Sequence, residues 1–202
     1  PFGKDVFEFL PHMTSSGDRL YFCSERPRKE DLQGNVWYVE KITGKWSEAV
    51  YFHPASQIKY SMFISSAKNG NLYLSGIYNN KRGIYRLKYH GGEYGDPEFI
   101  TNDLNGAHPC IAPDESFLIF DAQISGMGKP ELFITFRNPD SSWSKAVNMG
   151  PVINATKTEY GASLSPDGKY LFFHRRVNGN GNIYWIKSEI ISVLSAKTGE
   201  IK

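Results

Sequence analysis

Four copies of one short pattern organise this chain: a tight turn, an apolar strand, a loop and a second strand. The clearest copy reads Ser165-Pro166-Asp167-Gly168-Lys169-Tyr170-Leu171-Phe172-Phe173, followed by Asn182-Ile183-Tyr184-Trp185-Ile186. A second runs Ala112-Pro113-Asp114-Glu115-Ser116-Phe117-Leu118-Ile119-Phe120, then Glu131-Leu132-Phe133-Ile134-Thr135. Ser15-Ser16-Gly17-Asp18-Arg19-Leu20-Tyr21-Phe22 precedes Asn35-Val36-Trp37-Tyr38-Val39, and Lys68-Asn69-Gly70-Asn71-Leu72-Tyr73-Leu74 precedes Gly83-Ile84-Tyr85-Arg86-Leu87. The anchoring residues Leu20, Leu72, Leu118 and Leu171 stand 52, 46 and 53 residues apart. A short apolar segment precedes every turn: Phe9 to Met13, Ser61 to Ile64, Ala107 to Ile111, and Tyr160 to Leu164. A further piece follows the second strand in three copies, around Trp46, Tyr94 and Trp143, and is missing from the fourth.

Each unit is therefore four short strands in about 50 residues, the dimension of a β-propeller blade. The local chemistry agrees. In Pro166-Asp167-Gly168 the proline presets φ, the aspartate bonds the backbone ahead of it, and the glycine accepts positive φ. The runs after the turns are nearly continuous in apolar residues, as expected of strands covered on both faces. Composition fits this reading, with 13 Phe, 12 Tyr and 4 Trp beside 19 Gly and 11 Pro in 202 residues; aromatics favour strands, and Gly and Pro favour turns. The expected fold is all-β: a β-propeller of four-stranded antiparallel blades at about 9–52, 60–100, 107–150 and 159–188, with a C-terminal tail at 189–202. The whole of 1–202 is read as one propeller domain or a propeller fragment. A β-sandwich of many short strands would not repeat the same order four times.

The block Ser-Pro-Asp-Gly-Lys-Tyr-Leu-Phe-Phe followed by Asn-Ile-Tyr-Trp-Ile resembles the WD-repeat-like blade of TolB-type propellers. Ala67 to Tyr73, Ala112 to Ser116, Val152-Ile153-Asn154 and the tail Tyr184 to Ile191 are similar to a bacterial branch of that superfamily. The resemblance covers residues 9 to 191. The sequence departs from the pattern at Ser15-Ser16-Gly17, which lacks Pro-Asp, and at Glu115, where glycine is usual; both departures are expected to affect turn geometry. The resemblance implies about six blades and a cell-envelope setting, periplasmic or extracellular, with protein partners. Two readings of the four visible blades follow. Either they form the C-terminal part of a six-bladed ring, or four blades close by themselves with residues 1–7 supplying the strand that the last unit lacks. The chain begins at Pro1 without Met, which favours a processed form or a piece of a longer chain.

Other classes are excluded by composition. Hydrophobic residues at 40% with a formal charge of +2 are not those of a disordered chain. No apolar run approaches the roughly 20 residues of a membrane helix. The near balance of 23 Lys+Arg against 21 Asp+Glu is not the concentrated basic surface of a nucleic-acid binder. Cys23 and Cys110 are read either as two buried small hydrophobes or as one bridge, with the apolar runs around them favouring burial.

No catalytic residue, metal or cofactor is assigned. Gly-x-Ser-x-Gly is absent, and the loops Gly126-Met127-Gly128 and Asn178-Gly179-Asn180-Gly181 lack the strand-to-helix context of a phosphate loop and read as hairpin connections. Two ligand-binding sets are expected. Glu8, His12, His108, Glu159 and Tyr160 belong to first strands, which line the channel of a propeller, and so form a channel-mouth cluster. Arg26, Arg175 and Arg176 end second strands and form a rim set able to grip a carboxylate or a glycan acid through forked hydrogen bonds. The bland alternative for both sets is bonding within and between blades. The expected function is a non-catalytic binding module for a protein, peptide or saccharide. The alternative is a carbohydrate-active lyase or hydrolase with a metal or carboxylate site at the channel mouth.

Overall fold

The computed structural model describes residues 5–27, 35–101, 104–123, 129–156 and 158–198. The Gly126-Met127-Gly128 loop, residues 1–4 of the lead-in and residues 199–202 of the tail lie outside the described residues. The chain divides into two compact units, Pro1–Ile100 and Thr101–Lys202; among the described residues the first holds two larger antiparallel sheets and a two-stranded ribbon, and the second holds two sheets.

In the first unit, one sheet contains β1 (Glu8–Met13), β2 (Arg19–Ser24), β3 (Val36–Ile42), β4 (Lys45–Trp46) and β5 (Val50–Tyr51), with β4 and β5 both paired to β3. The other contains β6 (Lys59–Ser66), β7 (Leu72–Tyr78) and β8 (Lys81–Leu87). A ribbon of β9 (Tyr89–His90) and β10 (Glu93–Tyr94) follows, and β11 (Glu98–Phe99) returns to pair with β8. Tyr21, Phe52, Ile58, Leu72, Leu74 and Tyr85 belong to the buried core of this unit. In the second unit, β12 (Ala107–Ile111), β13 (Phe117–Ala122), β14 (Glu131–Phe136) and β15 (Val147–Asn148) form a four-stranded sheet. The last sheet is β16 (Glu159–Leu164), β17 (Tyr170–Val177) and β18 (Asn180–Lys187), three strands among the described residues. The segment after residue 188 folds as helix α1 (Glu189–Thr198), which sets Ile190, Ile191 and Leu194 against Ile119, Leu132, Leu171 and Phe173. The other face of β18 leaves Ile183 and Trp185 67% and 62% exposed.

The four units found in the sequence are thus four antiparallel sheets of propeller-blade type. The turns follow their residues. Gly17, Gly70 and Gly168 sit at φ +70°, +90° and +71°, and Asp167 Oδ1 accepts from the Lys169 amide at 3.1 Å. Glu115 keeps the same left-handed backbone at φ 61°, with Asp114 Oδ1 accepting from the Ser116 amide at 3.0 Å. The departure from glycine leaves the turn unchanged in shape and instead costs about 1 kcal/mol of backbone strain. The Asn178-Gly179 connection is a two-residue hairpin with both φ values positive, 49° and 84°, which matches the right-handed strand twist.

A feature of the first strands escapes the sequence pattern. Between Phe9 and His12, Ala107 and Cys110, and Tyr160 and Ser163, the register slips by one residue against the second strand. The extra residues adopt positive φ: Leu10 at 56°, His108 at 49° and Gly161 at 65°. β6 carries two such slips, with Tyr60 at 52° and Phe63 at 57°. Such bulges turn the side chains that follow them.

The cysteines are free and buried, and burial pushes the Cys23 thiol up to about 11 and the Cys110 thiol up to about 12. Tyr94 fills space between the two sheets of its unit, 5.2 Å from the Phe52 ring. Trp46 and Trp143 instead lie under basic side chains of their own repeats, 5.7 Å from Lys41 Nζ and 5.0 Å from the Arg137 guanidinium.

Candidate functional site

The residues of the expected channel-mouth cluster fall in both units and are described unit by unit. In the first, Glu8 opens β1 and accepts from Arg26 Nε at 2.9 Å, with a second contact to Arg26 Nη2. Both side chains are mostly buried, and the guanidinium lies 5.7 Å from the ring centres of Phe22 and Trp37. Arg26 is held as a fork between a carboxylate and two aromatic faces. His12 follows the β1 bulge and points elsewhere. Its Nε2 lies 2.8 Å from Ser66 Oγ and accepts from the Ser66 amide at 3.0 Å, linking β1 to β6. Burial lowers its pKa to about 4, so the ring is neutral at pH 7.

In the second unit Glu159 is fully buried at the start of β16. Its Oε1 accepts from Arg175 Nε at 3.0 Å, from Thr156 Oγ1 at 2.7 Å and from the Thr156 amide at 2.8 Å, and its Oε2 accepts from the Thr158 amide at 2.9 Å. Arg175 Nη2 donates onward to the carbonyls of Val152, at 3.1 Å, and Ile153, at 2.6 Å. Four donors converge on this carboxylate and hold it in place. His108 Nδ1 lies 2.7 Å from Asp121 Oδ1, which also accepts from the Gly161 amide at 3.1 Å. Tyr160 stands between two imidazoles. Its ring centre is 5.9 Å from that of His108 and 5.1 Å from that of His174, nearly parallel to the latter. His174 Nδ1 is buried without a hydrogen-bond partner among the described residues.

The structure thus brings His108 and Tyr160 together and adds Asp121 and His174, which the sequence reading left out of the cluster. It ties Glu159 to Arg175 and Glu8 to Arg26, each a member of one expected set joined to a member of the other. Among the described residues no group of three or more His, Cys, Asp or Glu side chains is placed to hold a metal ion.

Arg176 differs from its neighbour. Successive residues of a strand point to opposite faces, and Arg176 turns to solvent, with its Nε donating to the Gly179 carbonyl at 3.2 Å. It lines a cleft of about 570 Å³ with Lys129, Thr156, Thr158, Val177, Asn178 and Gly179. Arg176 and Lys129 form no ion pair among the described residues, and no carboxylate lines the cleft. Lys129 and Thr158 carried no recognisable signal, since each comes from a loop beside the repeated strands.

No protein-family model matches the chain, and no curated protein sequence matches it. Its structure is similar to solved ones. TolB from Acinetobacter baumannii superposes with a TM-score of 0.60 at 14% identity, over 90% of this chain and 41% of that one. A TolB described as putative, from Agrobacterium tumefaciens, gives 0.58 at 14% identity, over 91% and 59%. A chain of a nidogen/laminin complex gives 0.55 at 13% identity, over 79% and 56%. This chain spans less than two thirds of each of those chains. At such identities the likeness establishes the fold, which is that of a TolB-like β-propeller.

Proposed function

We propose that this TolB-like β-propeller is a non-catalytic binding module of the bacterial cell envelope, periplasmic or extracellular, which takes an acidic protein, peptide or saccharide at the cleft beside Arg176. One observation carries the reading: the contrast between Arg175 and Arg176. Arg175 is committed to Glu159 and two backbone carbonyls. Arg176, next in sequence, shares an open cleft with Lys129 and, among the described residues, no carboxylate. Two uncompensated cations with hydroxyls beside them suit a carboxylate, which a guanidinium grips by paired hydrogen bonds. The candidate acid and base groups are meanwhile bound internally: Glu8 by Arg26, Glu159 by four donors, and His12 by Ser66. That arrangement favours binding over turnover. Among the described residues no helix is long and apolar enough to cross a membrane.

The test uses poly-L-glutamate and polygalacturonate as acidic probes and dextran as a neutral one. One of the acidic polymers should bind, with affinity falling as salt rises, and the double variant Arg176→Ala, Lys129→Ala should weaken it at least tenfold. Equal binding of dextran, binding unchanged in the double variant, or shortening of a bound polymer would each overturn the proposal.

A further inference from the structure

The first unit contains a second cleft, of about 290 Å³, lined by no residue of the two expected sets, although Ser66 in its wall bonds to His12. It opens between the β1–β2 turn and the β6–β7 turn, with the end of β3 and the β9–β10 ribbon as its other walls. Its size is at the lower end of small-molecule pockets, roughly 300 Å³, which fits a single ring bearing a few substituents.

Three features show that its walls are set in advance. The first is Tyr89. Its amide donates to Asn71 Oδ1 at 2.8 Å, and its ring lies so close over Gly70 that a Cβ there would come within 2.7 Å of Cδ1. Gly70 also sits at φ +90°, so only glycine serves both the turn and the ring. Tyr89 is fixed from below yet 41% exposed, an amphipathic platform of the kind that stacks on the C–H face of a sugar. The second is a hydrogen-bonded chain along one wall. Arg19 Nη2 donates to Glu40 at 2.7 Å, Arg19 Nη1 to the Tyr21 hydroxyl at 3.4 Å, and that hydroxyl meets the Tyr94 hydroxyl at 3.2 Å. Burial pushes the Tyr94 phenol upward in pKa, so it stays a neutral hydroxyl. The third is charge. Asp18 is held by Ser16 and Thr14, which lower its pKa, and Glu40 is paired with Arg19. Lys41 and Lys68 have no carboxylate partner among the described residues.

We infer that this cleft is a second binding site, specific for a pyranose ring carrying a carboxylate, with Tyr89 stacking on the ring, Arg19, Glu40 and Asp18 meeting its hydroxyls, and Lys41 and Lys68 receiving the charge. With Arg19, Lys41 and Lys68 against Asp18 and Glu40 in the lining, a neutral sugar would leave one positive charge unanswered, and a bare anion would leave Tyr89 unused. The inference stands apart from the Arg176 cleft, which lies in the other unit and is lined by different groups.

The experiment titrates the whole chain with glucuronate, and with glucose as the neutral comparator, following amide NMR shifts. Glucuronate should give saturating shifts centred on Gly70 and Tyr89, with glucose at least tenfold weaker. Tyr89→Ala and Lys68→Ala should each weaken glucuronate at least tenfold. Lys68 is an exposed turn residue, so that variant tests the site even if Tyr89→Ala unfolds. Arg176→Ala should leave glucuronate affinity unchanged while impairing the acidic-polymer binding proposed above. Absence of saturable glucuronate shifts, equal binding of glucose, undiminished binding in Lys68→Ala, or loss of binding in Arg176→Ala would overturn the inference.

Discussion

The first and last sheets open with a glutamate held by an arginine, whereas the second sheet has Gly76 at the position of Arg175, four residues after its anchoring leucine. Glu8 and Glu159 both start a first strand, and each arginine lies over aromatic rings, Phe22 and Trp37 in one case and Phe173 and Tyr184 in the other. The two pairs differ in depth. Arg175 is the ladder partner of Glu159, and the carboxylate is fully buried. Arg26 lies two residues beyond Ser24, the ladder partner of Glu8, and that pair retains some solvent, at 13% and 17% exposure. In the second sheet Gly76 lets β7 approach so closely that a Cβ would lie 2.3 Å from Ile58 Cγ2 and 3.0 Å from the Lys59 carbonyl. One architectural position is thus filled by a saturated charge, by a partly hydrated charge, or by close backbone packing without a side chain. Their costs of disruption should rank by how much desolvation each has already undergone.

Glu159→Gln should show the largest effect. It strips the counter-charge from Arg175 at a carboxylate position with no solvent access, a loss of about 3–5 kcal/mol, against about 1–2 kcal/mol for Glu8→Gln, where water reaches the carboxylate. Denaturant unfolding of the two variants measures the difference, and equal losses would break the ranking. His12 supplies a neutral counterpart beside Glu8. Its folded pKa of about 4 lies below the ordinary 6.5, so as pH falls the unfolded chain takes up the proton first. The stabilisation is therefore full above pH 6.5 and shrinks between pH 6.5 and 4, by about 3 kcal/mol in total. Stability curves of the wild type and His12→Gln at these pH values should converge as pH falls; parallel curves would show that burial does not govern the imidazole. The closure at Gly76 is limited by space and not by charge. Gly76→Ala should cost about 1–3 kcal/mol through overpacking, and combining it with Ile58→Ala should cost less than the sum of the two changes. Simple additivity would mean that the clash with Ile58 does not set the spacing of β6 and β7.

Much of this fold is legible in the residues. The leucines that fixed the repeat, Leu72, Leu118 and Leu171, are buried to 1% exposure or less, and the turn glycines have the positive φ that the pattern requires. The first-strand bulges are hidden because most of their left-handed residues, Leu10, Tyr60 and Phe63, are types that rarely adopt that conformation; Gly161 announces it, and His108 hints at it. Helix α1 had a signal in the spacing of Ile190, Ile191 and Leu194, overlooked because the repeat drew attention to strands. At the site, strand alternation alone separates Arg175 from Arg176. The cleft beside Tyr89 was invisible for a different reason. Its walls come from turns and strand ends about 50 residues apart, so no local pattern joins Arg19 to Tyr89.

The ion pairs described above share a property that bears on how such a chain changes over time. Glu8–Arg26, Arg19–Glu40 and Glu159–Arg175 each lie inside a single repeat, as do Arg86–Glu98, Lys88–Glu98 and Lys169–Asp167. Within each unit, neighbouring sheets are joined by apolar packing and by uncharged donors such as Ser66 and the Gly161 amide. A repeat could therefore be duplicated, deleted or exchanged as a block without stranding one of these charges, which makes the number of blades easier to alter than the sequence within any one of them.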